Sequence, residues 1–169
     1  MRFAKLNSDS SLPAKLLYEH SFPIEERRPW ASILIKNKTK DFDFFVLQDG
    51  GLFVGIISIW QFECFDYIEH FAISEELRGK GLGSEVINIV KQKYNKPFVL
   101  EVELPTNLET VKRIRFYERL GFKTLEGLYM QPPYTKDLEN VRMNIMTNGE
   151  KLSFDYIKQT LYCKVYNRQ

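Results

Sequence analysis

A glycine-rich turn between a strand-like run and an amphipathic stretch is the feature that most constrains the fold of this chain. The turn reads Arg78-Gly79-Lys80-Gly81-Leu82-Gly83; residues 67–73 precede it, and apolar residues at helical spacing follow it. Glycines allow main-chain N–H groups to turn toward one point, and a following helix adds unpaired first-turn donors and the positive end of its dipole. The succession therefore predicts a phosphate site.

The spacing of the glycines excludes two nucleotide-binding motifs. A dinucleotide fingerprint read from Gly81 needs a third glycine at the position that Val86 occupies. A Walker loop needs its lysine directly after the last glycine, whereas Lys80 precedes the last two glycines of the turn. The turn therefore indicates a different phosphate-bearing ligand.

The turn resembles the Arg/Gln-x-x-Gly-x-Gly/Ala motif of the GNAT N-acetyltransferases, with Arg78, Gly81 and Gly83 in the motif positions. A second segment, Arg113-Ile114-Arg115-Phe116-Tyr117-Glu118-Arg119-Leu120-Gly121-Phe122, resembles the Phe-Tyr-Glu-(Lys/Arg)-x-Gly-Phe helix of that family. The two motifs stand in the family's order and separation, and the resemblance covers roughly residues 41–146. It also extends to a bacterial subgroup that carries a similar Gln131-Pro132-Pro133-Tyr134 loop.

The hydrophobic pattern predicts an α/β (α+β) fold. Strand-like segments occupy residues 2–7, 42–47, 52–60, 65–73, 98–104, 122–129 and 141–146, and helical segments occupy residues 12–20, 24–36, 82–94 and 108–120. A helix connects the fourth and fifth strands, which favours a parallel pair. We expect a mixed sheet of about six to seven strands with helices on both faces, and the resemblance implies that the two parallel central strands splay apart.

The length of 169 residues fits one domain. We expect residues 149–169 to form a C-terminal extension, because its apolar residues are too numerous for a free polar terminus. They fit both helical and strand spacing. The extension is therefore expected to pack on the domain or at a two-fold interface, which leaves monomer and homodimer open.

The resemblance implies acetyl-CoA as cosubstrate, with its pyrophosphate held by the main chain of the turn and its pantetheine arm paired to the strand before it. The family often has Asn seven residues before Tyr117, where this chain has Thr110, so Thr110 or Asn107 is expected to substitute. The expected contacts are Phe71, Ala72, Ile73, Arg78, Gly79, Lys80, Gly81, Leu82, Gly83, Ser84, Asn107, Thr110 and Tyr117.

Acyl transfer from a thioester to an amine needs a base for the amine and an acid for the departing thiolate. The resemblance implies Tyr117 as the acid, and the alternative is a tyrosine that only fills the buried helix face. The resemblance also implies Glu69 as the base, with Glu101, Glu103 or solvent as competitors. Period-two alternation places Glu69 and His70 on opposite faces, so they cannot act together without a bulge, and His70 is expected to be a hydrogen-bonded sheet residue.

The acceptor is expected to be a small-molecule amine or a protein amino group, and the resemblance implies that it binds between residues 22–30 and the Gln131-Pro132-Pro133-Tyr134 loop. Glu25 or Glu26 could attract a cationic substrate; ordinary surface charge at a helix entrance is the alternative. A coenzyme A-binding sensor or interaction module without acceptor chemistry remains the alternative function.

Composition bounds the other partners. A net charge of +2 without a broad basic field argues against nucleic acid as a partner. The sequence has no apolar run of the ~20 residues that span a bilayer, so we expect a cytoplasmic protein that is not bound to a membrane. Cys64 and Cys163 lack metal-ligand spacing, so we expect no metal site, no covalent acyl-enzyme, and two buried or half-buried thiols.

Overall fold

A computed structural model describes residues 1–168 of the chain, which form one mixed eight-stranded sheet. The strands are β1 Arg2–Lys5, β2 Phe42–Asp49, β3 Leu52–Gln61, β4 Asp66–Ile73, β5 Phe98–Glu103, β6 Lys123–Thr124, β7 Tyr129–Gln131 and β8 Val141–Thr147. Their order is β1-β2-β3-β4-β5-β8-β6, and β7 also pairs with β8. Among the strands of residues 1–168 only β4 and β5 run parallel, so the predicted mixed sheet with a parallel central pair is confirmed, with eight strands.

Helices cover both faces of the sheet, as predicted. They are α1 Ser8–Ser21, α2 Trp30–Lys36, α3 Leu82–Lys93, α4 Leu108–Arg119 and α5 Phe154–Thr160, which continues into a π-helical turn, Leu161–Val165. Alternate residues of β2 enter two separate apolar cores, with Phe44 in one and Phe45 in the other. The first core includes residues of α1, α2 and α5, and the second includes residues of α3 and α4.

Two predicted elements are divided in the structure. The helix expected over residues 24–36 is a 3-10 turn at Ile24–Glu26 followed by α2, because Pro29 lacks an N–H and favours an extended residue before it. The strand expected over residues 122–129 is two short strands, β6 and β7, and Gly127 between them has a φ of 153°. In both cases the hydrophobic pattern is continuous along the segment, but the backbone is interrupted at a proline or a glycine.

The C-terminal segment is helical and lies on the first core. Ile157, Leu161 and Val165 are fully buried there, and Tyr166 is 6% exposed. The sheet face next to β5 and β8 is therefore covered by residues that follow the last strand.

Cys64 and Cys163 are both exposed, so the prediction of buried or half-buried thiols is wrong. Cys64 lies in the connection between β3 and β4, and Cys163 lies on the outer side of the π-helical turn. Within residues 1–168, no helix combines the length and the hydropathy that a membrane span requires.

Candidate active site

The parallel strands β4 and β5 pair over only three positions before they separate. The pairs run from Asp66 with Phe98 to Ile68 with Leu100. A cavity of about 710 Å³ opens beyond them and is lined by residues of both cores, including Phe71 and Tyr117 from the second and Ala72 and Met143 from the first. The cavity therefore passes through the sheet at the predicted splay.

The glycine-rich turn forms one end of this cavity. Gly79 and Gly81 have φ angles of 76° and 81°, a left-handed conformation that glycine adopts without steric cost. Gly81 is the N-cap of α3, where no side chain occupies the first-turn N–H groups. Arg78, Gly79, Gly81, Leu82, Gly83 and Ser84 all line the cavity. The turn thus presents unpaired main-chain donors and the positive end of a helix dipole.

The free edge of β4 forms the adjoining wall through Phe71, Ala72 and Ile73. The N–H of Ser74 donates to the carbonyl oxygen of Val54 in β3 at 2.9 Å. Because alternate residues of a strand direct their polar groups to opposite neighbours, Phe71 and Ile73 direct theirs to the cavity. Arg78 braces this corner, since its Nε donates to the carbonyl oxygen of Ile73 at 3.0 Å.

Three of the expected coenzyme contacts lie outside this lining. Of the described residues, Lys80, Asn107 and Thr110 are absent from the cavity wall. Asn107 and Thr110 form a reciprocal cap at the start of α4, in which the Thr110 N–H donates to Asn107 Oδ1 at 2.9 Å. Their contact with the coenzyme stays a prediction.

Tyr117 is a buried residue of α4 that lines the cavity. Its ring packs edge-on against Phe116 and Phe122. Burial raises the pKa of Tyr117 to about 12, so the phenol is protonated at neutral pH. Within residues 1–168 no hydrogen bond engages its hydroxyl group, which leaves an O–H donor at the cavity wall.

A β-bulge in β4 places Glu69 and His70 on the same face of the sheet. Ser58 pairs with His70 and Ile59 with Ile68, so Glu69 is an extra residue without a partner in β3. Glu69 Oε2 lies 3.5 Å from His70 Nδ1. The prediction that these side chains lie on opposite faces is therefore wrong, because strict alternation fails at the bulge.

Glu69 forms a buried ion pair with Arg28, whose Nε donates to Glu69 Oε1 at 2.7 Å. Burial raises the pKa of Glu69, but the charge and hydrogen bond of Arg28, together with the nearby His70 ring, outweigh burial and lower the pKa to about 2. Tyr134 also donates to Oε1, at 3.1 Å. Glu69 is thus a permanent anion at the centre of the site.

Glu101 has a different environment at the same end of the cavity. Its carboxylate accepts hydrogen bonds from three phenols, with Tyr166 at 2.7 Å and Tyr67 at 2.8 Å on Oε2 and Tyr129 on Oε1. Burial raises the pKa of Glu101 to about 7, although these three hydrogen bonds act to lower it. Glu103, the other competitor, pairs with Arg113.

The expected acceptor loops form the remaining wall of the cavity, through Phe22, Pro23, Glu26, Gln131 and Tyr134. Burial, and next the negative charge of Glu103, raises the pKa of Glu26 to about 7. The side-chain Nε2 of Gln131 is buried without a hydrogen-bond partner among the described residues. This wall therefore offers both an acidic group and an amide donor to a polar ligand.

Sequence reasoning missed two features of this site. It identified neither Arg28 as the partner of Glu69 nor Tyr67, Tyr129 and Tyr166 as the donors to Glu101. A buried carboxylate needs such partners, but the sequence offers 24 basic residues and nine tyrosines as candidates.

Comparisons with known proteins show which proteins this chain is similar to. Residues 40–124 match the family model described as "Acetyltransferase (GNAT) domain". The chain is 31% identical to YjbC of Bacillus subtilis (strain 168) over 148 residues, which cover 82% of this chain and 74% of YjbC. A GNAT-family protein structure from Bacteroides thetaiotaomicron is 31% identical, has a TM-score of 0.89, and both chains are covered completely. Both relatives are acetyltransferases by assignment, and neither name states an acceptor.

A more distant structure shares the fold. It is an aminoglycoside 6'-N-acetyltransferase complexed with coenzyme A, 15% identical with a TM-score of 0.65, covering 90% of this chain and 100% of its own. At this identity the likeness shows the fold alone.

The ion pair predicts a specific acid sensitivity of stability. The folded pKa of Glu69, about 2, lies below the ordinary value of 4.5, so ionised Glu69 stabilises the fold above about pH 5, and this contribution falls as the pH drops toward about 2. The contribution is on the order of 3 kcal/mol. Glu69→Gln should therefore be destabilised at pH 7, and the difference should narrow as the pH falls, measured by urea unfolding.

Glu150→Gln is the matched control, because Glu150 is exposed and remote from the ion pair. Its unfolding free energy should follow that of the parent at every pH. A constant difference between the parent and Glu69→Gln over the acid range would contradict the assigned pKa.

Proposed function

Since the chain belongs to the GNAT family of acetyltransferases, we propose that it moves an acetyl group from acetyl-CoA to a primary amine by direct attack in a ternary complex. The observation that carries the proposal is the cavity through the sheet. The same cavity is lined by the glycine-rich turn, by Tyr117, and by Glu69 and Glu101. Neither exposed cysteine lines it, which favours direct attack over a covalent acyl-enzyme.

The residues that would hold the coenzyme are those of the turn and the free edge of β4. The main-chain N–H groups of Gly79, Gly81, Gly83 and Ser84 suit a pyrophosphate, because they combine uncapped donors with the helix dipole. The main-chain groups of Phe71 and Ile73 suit the amides of a pantetheine arm. When bound, acetyl-CoA supplies the thioester that the acceptor attacks.

Tyr117 serves as the acid in this proposal. Its phenol is protonated at neutral pH and lines the cavity, so it can donate a hydrogen bond to a sulfur atom as negative charge develops there. A neutral phenol in a buried position stabilises that charge more in the transition state than in the bound substrate.

The two carboxylates of the site have different roles. Glu69, the residue favoured by the sequence, has a pKa of about 2 and is therefore a weak base. Its permanent charge suits the attraction of an ammonium group into the site. Glu101, with a pKa of about 7, can accept a proton near neutral pH, so we assign the base to Glu101 and electrostatic binding of the amine to Glu69. Glu103 is less suited, because it pairs with Arg113.

The acceptor is a small-molecule amine or a protein amino group that enters between Phe22-Pro23 and Tyr134. Glu26 and Glu101 lie on this route without a salt bridge among residues 1–168, so a cationic amine would offset their mutual repulsion. Membership of the subgroup with the Gln131-Pro132-Pro133-Tyr134 loop is part of the proposal, supported by Gln131 and Tyr134 at the cavity wall. The enzyme acts as a monomer or homodimer.

The direct test is release of coenzyme A thiol from acetyl-CoA in the presence of an amine panel. The panel includes diamines, aminoglycosides, amino acids, lysine-containing peptides and peptides with free N-termini. At least one amine should accelerate release and gain an acetyl group by mass spectrometry. Tight binding of acetyl-CoA without acetylation of any amine would instead support the alternative of a sensor or interaction module.

The glycine-rich turn gives a test that does not require the acceptor. Gly81→Val places a β-branched residue at a φ of 81°, which forces the turn to change and misdirects the N–H groups. Its affinity for acetyl-CoA should fall at least about tenfold by calorimetry, the effect of losing one or two hydrogen bonds to a charged group. Gly50→Val is the control, since Gly50 also has a positive φ, in the remote β2–β3 turn. Equal affinities of the two variants would remove the turn from the binding site.

Tyr117→Phe tests the acid. Removal of the hydroxyl group should lower kcat by roughly 10²-fold or more, as for other general acids, and leave the affinity for acetyl-CoA nearly unchanged. Tyr156→Phe is the control, because Tyr156 is exposed on α5 and does not line the cavity. A kcat equal to that of the parent would return Tyr117 to a packing role.

A further inference from the structure

The chain ends in a turn of unusual geometry that contacts the active site. We call residues 161–166 the C-terminal turn. The N–H of Tyr166 donates to the carbonyl oxygen of Leu161 at 3.1 Å, an i to i+5 bond of the π-helical type. Such turns rotate the residues after them relative to a regular helix, and they occur often at functional sites. Leu161 and Val165 anchor the turn in the core, which leaves the orientation of Tyr166 fixed.

The side chain of Tyr166 reaches Glu101. Its hydroxyl group donates to Glu101 Oε2 at 2.7 Å, and Tyr67 and Tyr129 supply the other two hydrogen bonds of this carboxylate. Among residues 1–168 Glu101 forms no salt bridge, and the hydrogen bonds to its carboxylate come from phenols. Tyr67 and Tyr129 belong to the sheet, whereas Tyr166 belongs to the C-terminal turn. The position of this turn therefore determines whether the Tyr166 hydrogen bond can form.

The backbone of the same turn reaches Glu69 through Arg28. Arg28 Nη2 donates to the carbonyl oxygen of Val165 at 2.7 Å while its Nε donates to Glu69. Tyr134 lies between the two carboxylates, since its hydroxyl group is 3.1 Å from Glu69 Oε1 and 3.3 Å from the Tyr166 hydroxyl group. Of two adjacent residues of the turn, Val165 thus contacts the partner of Glu69, and Tyr166 contacts Glu101 directly.

We propose that the C-terminal turn is a working part of the acceptor site, in which Tyr166 is the positioning residue for the Glu101 carboxylate and the Val165 carbonyl positions Arg28 on Glu69. The proposal rests on the proposed function, because it assigns the proton of the amine to Glu101. Tyr166 touches no reacting atom and acts through Glu101. Its hydrogen bond both orients the carboxylate and favours the ionised form that accepts a proton.

The groups that face Glu101 set the background for any pH effect. Tyr67 faces it from β4 and Tyr129 from β7. The negative charge of Glu69 opposes its ionisation. Tyr134 and Glu26 approach from the two acceptor loops. The negative charge of Glu101 raises the pKa of both groups, and by the same repulsion their ionisation opposes that of Glu101. Loss of the Tyr166 hydroxyl group removes a hydrogen bond that favours ionised Glu101 and leaves the charge repulsion unchanged. The pKa of Glu101 should therefore rise.

The test compares Tyr166→Phe with Tyr162→Phe in the full chain. Tyr162 lies on the same turn and donates to the carbonyl oxygen of Met130, so the control loses a hydroxyl group and a hydrogen bond without contact to Glu101. Carboxyl ¹³C NMR titration, with Glu101→Gln to assign the signal, should show the pKa of Glu101 about one to two pH units higher in Tyr166→Phe. Tyr162→Phe should leave it unchanged.

The activity arm uses the best amine from the panel. The acid limb of the kcat/KM profile should move to higher pH by the same amount in Tyr166→Phe, with the acetyl-CoA affinity unchanged. Tyr166→Leu serves as a second variant if the first is destabilised, and it should shift the pKa in the same direction. An unchanged Glu101 pKa in a folded Tyr166 variant would overturn the inference.

The two arms separate this inference from the proposed function. A shifted Glu101 pKa with no amine acetylated by the parent would support the positioning role of Tyr166 and refute Glu101 as a working base. A shifted pKa with an unmoved acid limb would overturn the role of Tyr166 in catalysis, while acetylation itself would uphold the proposed function.

Discussion

The buried ion pair of Arg28 and Glu69 is the interaction on which the proposed acceptor side of this molecule depends. Both side chains are almost fully removed from solvent, at 5% and 0% exposed, so neither charge is tolerable without the other. The guanidinium group also lies 4.5 Å from the centre of the Tyr134 ring and donates to the Val165 carbonyl oxygen. One arginine therefore joins the loop before α2, the bulge of β4, the loop before β8 and the C-terminal turn.

The bulge in β4 lies next to the point at which β4 separates from β5. The last parallel pair is Ile68 with Leu100, and the bulged residue Glu69 follows at once. An extra residue bends a strand and increases its local twist, which suits a strand that departs from its neighbour at that point. The polar groups of Phe71 and Ile73 are consequently left without a strand partner, and the cavity passes beside them. The bulge that directs the Glu69 side chain toward Arg28 therefore lies at the point where β4 separates from β5.

Two glutamates on neighbouring strands acquire different chemistry from different neighbours. A cation beside Glu69 lowers its pKa to about 2, whereas Glu101 has neutral phenols and the negative charge of Glu69 as neighbours and a pKa of about 7. Burial acts in the same direction on both groups, so the neighbour decides the outcome. The division of roles that we propose, attraction of an ammonium group by one carboxylate and proton acceptance by the other, follows from this contrast rather than from position on the strands.

The sequence by itself determined the parts that contiguous residues encode. The glycine-rich turn, the Phe-Tyr-Glu helix and the crossover between β4 and β5 depend on local conformation, so their order predicted the fold, the family and the part of the cavity at which we propose that coenzyme A binds. Only the tertiary structure decided the proposed acceptor end. Arg28 meets Glu69 across 41 positions and Tyr166 meets Glu101 across 65, and no spacing rule selects such partners. The bulge likewise broke the alternation that sequence reasoning must assume, because a register shift is set by the paired strand and by the packing around it.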